Sequence, residues 1–307
     1  MITHRTHRDL ARAISHVENR LGSFDDVLAG LRAALPSNGA PRRAQVLGVT
    51  GPPGAGKSTL TDRLVEGLRT AGRTVAVVAV DPSSPFTRGA VLGDRVRMQR
   101  HTGDAGVYIR SMASRESGGG LAPATRDAVA LCEAAGFDVV IVETVGVGQV
   151  ELEIVGIADV VLVVTVPALG DAVQTIKAGL TEIADVFVVN MADRPGANRT
   201  ALDLKQMVRE GLRDVPVLLT TASDGTGVPE LLAVLVERLA AGEPNAVRAA
   251  RFEAVRRIRD AAVRHALVTL DSAEAAAVFE RLQAHDLTRA AAVDALLALI
   301  GEPAHAG

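Results

Sequence analysis

Residues 51–58 have the composition and spacing of a loop that binds phosphate groups. They read Gly-Pro-Pro-Gly-Ala-Gly-Lys-Ser and match the pattern G-x-x-x-x-G-K-[ST] at every fixed position. An apolar run, Val46–Thr50, precedes the loop, and a helical pattern begins at Thr59. Because this pattern binds nucleotides when it lies between a strand and a helix, the sequence predicts a nucleotide site here.

Each part of this loop has an expected role. Glycines allow backbone N–H groups to turn toward phosphate oxygens, and the N-terminus of the following helix adds positive partial charge. We expect the Lys57 ammonium to reach the β- and γ-phosphates and the Ser58 hydroxyl to ligate Mg²⁺. The nucleotide-binding residues predicted from this loop are Gly51, Pro52, Pro53, Gly54, Ala55, Gly56, Lys57, Ser58 and Thr59.

Acidic residues stand where two predicted strands end, Glu143 after Val139–Val142 and Asp81 after Val75–Val80. A carboxylate at such a strand end holds Mg²⁺ or its waters during phosphoryl transfer, and Glu143 is predicted in that role. Gly146, in an E-x-x-G pattern, would let the backbone approach the γ-phosphate. The full predictions are Lys57, Asp81, Asp94, Arg97 and Glu143 as catalytic residues, and Ser58, Asp81, Asp94 and Glu143 as metal ligands.

The base of the nucleotide is predicted from a second motif. The run Val186–Val189 leads into Asn190-Met191-Ala192-Asp193, an N-x-x-D pattern. In guanine-specific proteins the pattern is N-K-x-D, and its Asp accepts hydrogen bonds from guanine N1–H and N2–H₂, a donor pair that adenine lacks. Asp193 is therefore predicted to select guanine, and Asn190 to brace the loop.

Two features qualify this base site. Met191 replaces the usual Lys and supplies apolar cover without an ammonium, so we expect guanine selectivity to remain and affinity to be weaker. After the run Val217–Leu219, the loop that contains Thr221 and Ala222 is predicted to offer a backbone N–H to guanine O6.

Short apolar runs alternate with helical stretches through the middle of the chain. Several runs are continuous in Val, Ile and Leu, which is typical of strands buried on both faces of a parallel sheet. The predicted strands are Val46–Thr50, Val75–Val80, Val107–Ile109, Val139–Val142, Val160–Val166, Val186–Val189 and Val217–Leu219. The predicted crossover helices are Leu60–Thr70, Thr125–Ala135, Ala172–Ile183 and Leu202–Leu212.

The pattern predicts an α/β fold, a P-loop NTPase with a mostly parallel central sheet flanked by helices. Residues 8–35 carry the apolar spacing of two helices, and residues 246–300 are Ala-, Arg- and Leu-rich with helical spacing. The predicted parts are an N-terminal helical extension (1–40), a nucleotide-binding domain (41–243) and a C-terminal helical arm (244–307).

Composition excludes several classes of protein. The 307 residues carry a net charge of −3, and they include six Phe, one Tyr and no Trp, which argues against nucleic-acid binding. The single cysteine, Cys132, excludes an intrachain disulfide and Cys-rich metal sites. No apolar run approaches the about 18 residues of a membrane helix, so we expect a cytoplasmic protein without a membrane partner.

Taken together, the motifs resemble the MeaB/ArgK family of GTPases, chaperones of adenosylcobalamin-dependent acyl-CoA mutases that are related to the methylmalonic-aciduria type A protein. The resemblance covers about residues 10–300. Besides the phosphate loop, it rests on the segments Val80–Pro85, Gly93–Met98, Glu143–Gln149 (E-T-V-G-V-G-Q) and Gly170–Gly179, which contains D-A-V-Q-T-I-K-A-G.

The resemblance implies a function and an assembly. It implies GTP and GDP as ligands with Mg²⁺, a homodimer formed through the C-terminal arm, and control of cofactor loading and protection in a mutase, with methylmalonyl-CoA mutase as the expected client. It also implies roles around Mg²⁺ and the phosphates for Lys57, Ser58, Asp81, Asp94, Arg97 and Glu143.

Departures from the pattern leave alternatives open. Ras-like GTPases have a Gln after the switch glycine, where this chain has Val147, so we expect slow intrinsic hydrolysis. The loop 112–121 is only loosely similar to the family and leaves the client open. The alternatives are a nickel metallochaperone, which would want Cys and His clusters, a small-molecule kinase, and a scaffold that binds nucleotide without turnover.

Overall fold

The computed structural model describes residues 2–35, 43–81, 99–101, 103–113, 121, 124–144, 151–167, 183–209 and 215–241, and then 250, 254, 265, 269–270, 272–284 and 286–301. The chain divides into two compact units, 1–249 and 250–307. The predicted boundary at residue 243 and the dimerisation role of the C-terminal arm remain predictions.

A parallel sheet forms the centre of the first unit. In the described residues it has seven strands in the order β3-β2-β4-β1-β5-β6-β7, and every neighbouring pair is parallel. All seven predicted runs are strands, and the predicted fold class is confirmed. The strands are β1 Gln45–Thr50, β2 Val75–Asp81, β3 Val107–Ala113, β4 Val139–Glu143, β5 Val160–Thr165, β6 Val186–Val189 and β7 Val217–Leu219.

Burial on both faces explains why these strands are continuous apolar runs. Every residue of β2, β4, β5 and β6 is buried. Helices cover the two faces, so the apolar side chains of these strands meet apolar neighbours rather than water. Removal of this apolar surface from water is the main free-energy gain that holds the sheet together.

Helices occupy the connections and the two ends of the chain. In the part of the chain that the structure describes, they are α1 His4–Glu18, α2 Phe24–Ala34, α3 Lys57–Thr70, α4 Thr125–Ala134, α5 Ala197–Arg209, α6 Val228–Ala241, α7 Ala273–Gln283 and α8 Arg289–Gly301, with 3₁₀ turns at Gln99–His101 and Glu151–Gly156. Helices α7 and α8 belong to the second unit.

The predicted helices correspond unevenly to these elements. Leu60–Thr70 lies within α3, and Thr125–Ala135 matches α4 with one extra residue. Leu202–Leu212 overlaps the end of α5, while Ala172–Ile183 lies outside the described residues except for Ile183. Helix α6 was missed, although its buried Leu231, Leu235 and Leu239 recur every four residues, a helical spacing.

The N-terminal helix α1 packs on the β3 edge of the sheet. His7 Nε2 lies 2.9 Å from the Ala105 carbonyl oxygen, and its ring contacts the rings of Tyr108 and Phe137 at centroid distances of 5.5 and 6.2 Å. Burial is the main cause that lowers the pKa of His7. The guanidinium of Arg110 pairs with Glu18, so apolar and ionic contacts both fix α1.

Cys132 on α4 is predicted to be inert to thiol reagents while the chain is folded. The thiol is fully buried, and burial raises its pKa to about 12, which suppresses the nucleophilic thiolate. A thiol-specific reagent should label the native chain slowly and the chain in denaturant at once. Rapid labelling under native conditions would show that α4 opens readily.

No helix in the described part of the chain is long and apolar enough to span a membrane.

Candidate functional site

The predicted site residues that the structure describes lie at or beyond the carboxyl ends of the parallel strands. Strand β1 lies between β4 and β5, so β2, β3 and β4 lie on one side of β1, and after β4 the chain crosses to β5, β6 and β7 on the other side. Such a reversal of strand order opens a crevice at the carboxyl edge, and ligands bind there in α/β folds. The phosphate loop follows β1 directly, at the mouth of this crevice.

The phosphate loop is shaped by glycines that no other residue can replace easily. Gly51 has φ +139°, and a Cβ there would lie 1.9 Å from the Val164 carbonyl oxygen. Gly56 has φ +81° and ends the loop as the N-cap of α3, where a Cβ would lie 2.5 Å from Asn190 Nδ2. The loop is therefore packed tightly against β5 and against the residue that follows β6.

The Lys57 side chain folds back over the loop. Its Nζ donates hydrogen bonds to the carbonyl oxygens of Gly51 at 2.8 Å and Pro52 at 3.1 Å. The residue is buried, with 7 % of its surface exposed. These contacts hold the Lys57 ammonium against the loop, where its positive charge can attract a phosphate group bound in the loop.

Ser58 and Glu143 form the second part of the site. Ser58 Oγ donates to Glu143 Oε1 at 2.6 Å, and Thr61 Oγ1 donates to Glu143 Oε2 at 3.1 Å. All three residues are buried. Hydroxyl and carboxylate oxygens are the ligands that Mg²⁺ prefers, and Mg²⁺ usually takes only one or two from protein, so the donor set fits this ion.

The structure places some other phosphate-site candidates and leaves several unplaced. Asp81 is buried at the end of β2, and β2 pairs with β4, the strand that ends in Glu143. The predicted Asp94, Arg97 and Gly146 lie outside the described residues. Among the residues that the structure does describe, no cluster of three or more His, Cys, Asp or Glu side chains suits a metal ion.

Asn190 joins the phosphate loop to the loop after β7, which contains Thr221 and Ala222. Its Nδ2 donates to the Ala55 carbonyl oxygen at 2.9 Å. Its Oδ1 accepts from Ala222 N–H at 3.0 Å and from the Thr220 hydroxyl at 3.2 Å. These hydrogen bonds tie the segment after β6 to the phosphate loop and to the loop after β7, and they commit the Ala222 N–H to the Asn190 side chain.

The other base-site candidates lie around Asn190. Asp193 is exposed, four residues beyond the end of β6. Met191 adopts φ +56° and packs against the core below the phosphate loop, which accounts for an apolar residue at this position. Thr221 and Ala222 are buried, and Thr221 N–H donates to the Thr226 carbonyl oxygen at 2.9 Å.

Sequence reasoning missed two residues that contact the site. Thr61 lies three residues after Ser58 on α3, and that spacing signals a shared helix face. Arg63 reaches the carbonyl oxygens of Ala222 and Ser223, about 160 positions along the chain, and no sequence pattern indicated that contact.

Comparisons with known proteins match most of the chain. A family model described as methylmalonyl-CoA mutase-associated GTPase MeaB matches residues 10–277. A Pyrococcus horikoshii protein described provisionally as a GTPase is 47% identical over 231 residues, which cover 73% of this chain and 71% of that protein. GTPase ArgK of Escherichia coli is 38% identical over 239 residues, with 74% and 71% coverage.

Two further comparisons extend these matches. A fused isobutyryl-CoA mutase of Cupriavidus metallidurans is 35% identical over 246 residues, which cover 76% of this chain and 22% of that protein. A crystal structure described as a LAO/AO transport system kinase is 26% identical, with a TM-score of 0.59 and coverage of 97% and 96%.

Proposed function

The chain belongs to the family of methylmalonyl-CoA mutase-associated GTPases, MeaB, and we propose that its GTPase activity controls cofactor loading and protection in an adenosylcobalamin-dependent acyl-CoA mutase. Methylmalonyl-CoA mutase is the first client to test, because the family description contains its name. We further propose that the chain acts as a cytoplasmic homodimer joined through residues 244–307.

The main support for a mutase client is one relative in which a similar region is fused to a mutase. In the fused isobutyryl-CoA mutase of Cupriavidus metallidurans, the region similar to this chain makes up 22% of a longer protein. Fusion holds two domains at a high effective concentration, which is useful when one acts on the other. A separate chain that serves the same purpose must bind its mutase, so a specific surface and a nucleotide-dependent response are expected.

The charged groups at the sheet edge support the assignment of the nucleotide site. Lys57 supplies a positive charge for the β- and γ-phosphates, and Ser58 and Glu143 supply oxygen atoms that would hold Mg²⁺. When bound, Mg²⁺ neutralises charge on the phosphates. Asp193 would accept the guanine N1–H and N2–H₂ hydrogen bonds, and Asn190 holds together the loops that would enclose the base.

The mutase proposal is tested by GTP turnover with and without its partner. Phosphate release is measured for the chain alone, with methylmalonyl-CoA mutase and with isobutyryl-CoA mutase from the same organism. We expect a slow basal rate that one mutase raises severalfold, because Val147 stands in the place of the usual Gln. A Lys57→Ala chain mixed with the same mutase shows whether the added turnover arises at this site.

The same experiment separates the alternatives. A rate that no acyl-CoA mutase changes, with no effect on cofactor loading, would contradict the client and leave the GTPase. Phosphate transfer to a small molecule instead of water would favour the kinase. Tight guanine nucleotide binding without turnover under any condition would favour the scaffold.

Glu143→Gln is predicted to weaken the response to Mg²⁺. The change removes the negative charge of a buried side chain that Ser58 and Thr61 contact, while its size stays the same. We expect half-maximal GTP turnover to require about tenfold more Mg²⁺, which is within the range for lost metal-site contacts. Turnover is measured over a Mg²⁺ titration at saturating GTP.

Thr61→Val is the matched control for this prediction. It removes one hydrogen bond to Glu143 but keeps the carboxylate charge, so the Mg²⁺ midpoint should move much less. A Glu143→Gln chain with the normal midpoint would show that Glu143 does not hold Mg²⁺, and Asp81 would become the first residue to test.

A further inference from the structure

Arg63 links the helix of the phosphate loop to the loop predicted to contact the base. It lies on α3, five residues after Ser58. Its Nε donates to the Ala222 carbonyl oxygen at 3.1 Å, and its Nη2 donates to the Ser223 carbonyl oxygen at 2.8 Å. Its Nη1 lies 3.1 Å from Glu66 Oε2, so all three nitrogens of the guanidinium make a contact.

The loop at 220–226 is also held by Asn190 and by hydrogen bonds within the loop. Asn190 Oδ1 accepts the Ala222 N–H and the Thr220 hydroxyl. Within the loop, Gly225 N–H donates to the Thr221 carbonyl oxygen at 2.9 Å. Thr226 N–H donates to Asp224 Oδ1 at 2.8 Å, and that bond lowers the pKa of the Asp224 carboxyl.

The contact between Arg63 and the Ala222 carbonyl also sets the direction of the next backbone N–H, that of Ser223. In a planar trans peptide, the C=O of one residue and the N–H of the next point in opposite directions. By fixing the Ala222 carbonyl, Arg63 therefore fixes the direction of the Ser223 N–H. The charged donor also polarises this peptide, which makes its N–H a stronger donor.

The Ser223 N–H is suited to a ligand acceptor. It makes no hydrogen bond to any residue in the described ranges, whereas the neighbouring Ala222 N–H is bound to Asn190. The loop follows β7, next to β6 and the N-x-x-D segment. A carbonyl oxygen on the base is the kind of acceptor that a single backbone N–H recognises.

We propose that Arg63 is a positioning residue for base selection, which orients the Ala222–Ser223 peptide so that its N–H meets the 6-oxo group of guanine. This inference rests on the proposed guanine nucleotide site. It assigns selectivity for the 6-oxo edge to a residue of the phosphate-loop helix, whereas Asp193 selects the N1–H and N2–H₂ edge.

The test compares two ligands that differ at one atom. GDP carries an oxygen at position 6, and 6-thio-GDP carries sulfur, a weak hydrogen-bond acceptor. Dissociation constants for both are measured with the full chain and with Arg63→Met, which keeps an unbranched apolar stem and removes every donor. We expect Arg63→Met to weaken GDP binding about tenfold, as for the loss of one hydrogen bond to the ligand, and 6-thio-GDP binding less than about twofold.

Three control variants separate positioning from general stability. Arg63→Lys keeps the charge but not the planar fork, so GDP affinity should recover in part. Glu66→Gln removes the carboxylate beside Arg63 and should leave the GDP to 6-thio-GDP ratio unchanged. Arg69→Met also replaces an arginine of α3, one whose guanidinium binds Asp104 and the Arg73 carbonyl oxygen, so it should not change the ratio.

The outcomes distinguish this inference from the function on which it rests. Equal weakening of both ligands by Arg63→Met would show a merely structural role, and an unchanged GDP affinity would show no role; either overturns the proposal. An unsubstituted chain that binds neither ligand would overturn the guanine nucleotide site itself. Thermal unfolding of each variant confirms that the compared chains are folded.

Discussion

Replacement of Lys57 by alanine is expected to lower kcat/KM for GTP by about a thousandfold, the upper range for loss of one preorganised charge-stabilising donor. The ammonium is buried and held by two loop carbonyl oxygens, so it is in place before the nucleotide arrives. Its loss removes the positive charge that we propose faces the transferred phosphoryl group, and it leaves those carbonyls without their donor. Phosphate release over a range of GTP concentrations separates the effects on kcat and KM.

Lys205→Ala is the matched control for Lys57→Ala. Lys205 is exposed on α5, so the same change of residue type should leave turnover unaltered. If the Lys57→Ala chain hydrolyses GTP within about tenfold of the normal rate, Lys57 does not contact the transferred phosphate, and the phosphates bind elsewhere. Circular dichroism of both variants establishes that the overall helix content is retained.

Asp193→Asn is expected to exchange guanine for xanthine as the preferred base. The Asp carboxylate would accept two donors from guanine, and an Asn amide offers one acceptor and one donor in their place. Such an unmatched pair costs up to about 10⁴-fold in discrimination, so we expect GDP affinity to fall by about a thousandfold. The same amide pairs with the N1–H and 2-oxo groups of xanthine, so xanthosine diphosphate affinity should rise.

Equilibrium titration with the two diphosphates measures this exchange. Asp203→Asn, an equivalent change on α5 beside Arg199, should leave both affinities unchanged. If Asp193→Asn binds GDP normally, Asp193 does not contact the base, and the N-x-x-D interpretation is wrong. If GDP affinity falls without a gain for xanthosine diphosphate, the carboxylate acts by its charge alone.

The sheet was predictable because its physical signal is local. Strands buried on both faces are apolar along most of their length, so β2, β4, β5 and β6 are apolar runs with polar residues only at the last positions, Asp81, Glu143 and Thr165. Helix α6 was missed even though its leucines have helical spacing. The position of β4 between β2 and β1 is different, because residue spacing holds no information about which strands are neighbours in the sheet. Strand order depends on which runs meet after the crossovers fold.

The phosphate loop was predictable for a related reason. Its glycines, lysine and serine act within eight consecutive residues, and the positive φ values of Gly51 and Gly56 are a property of the local backbone. The N-x-x-D segment is equally local. For these motifs, residue type and spacing already contain most of the geometry that the chemistry requires.

The sequence by itself therefore determined the α/β class, the seven strands, the phosphate loop and the family. Only the tertiary structure decided that Thr61 shares Glu143 with Ser58, that Asn190 bridges Ala55 and Ala222, and that Arg63 holds the carbonyl of Ala222. These partners lie between about 30 and 160 positions apart along the chain. Hydrogen bonds of this kind depend on atoms that packing brings within about 3 Å, and residue spacing does not specify which distant carbonyl or hydroxyl will arrive there.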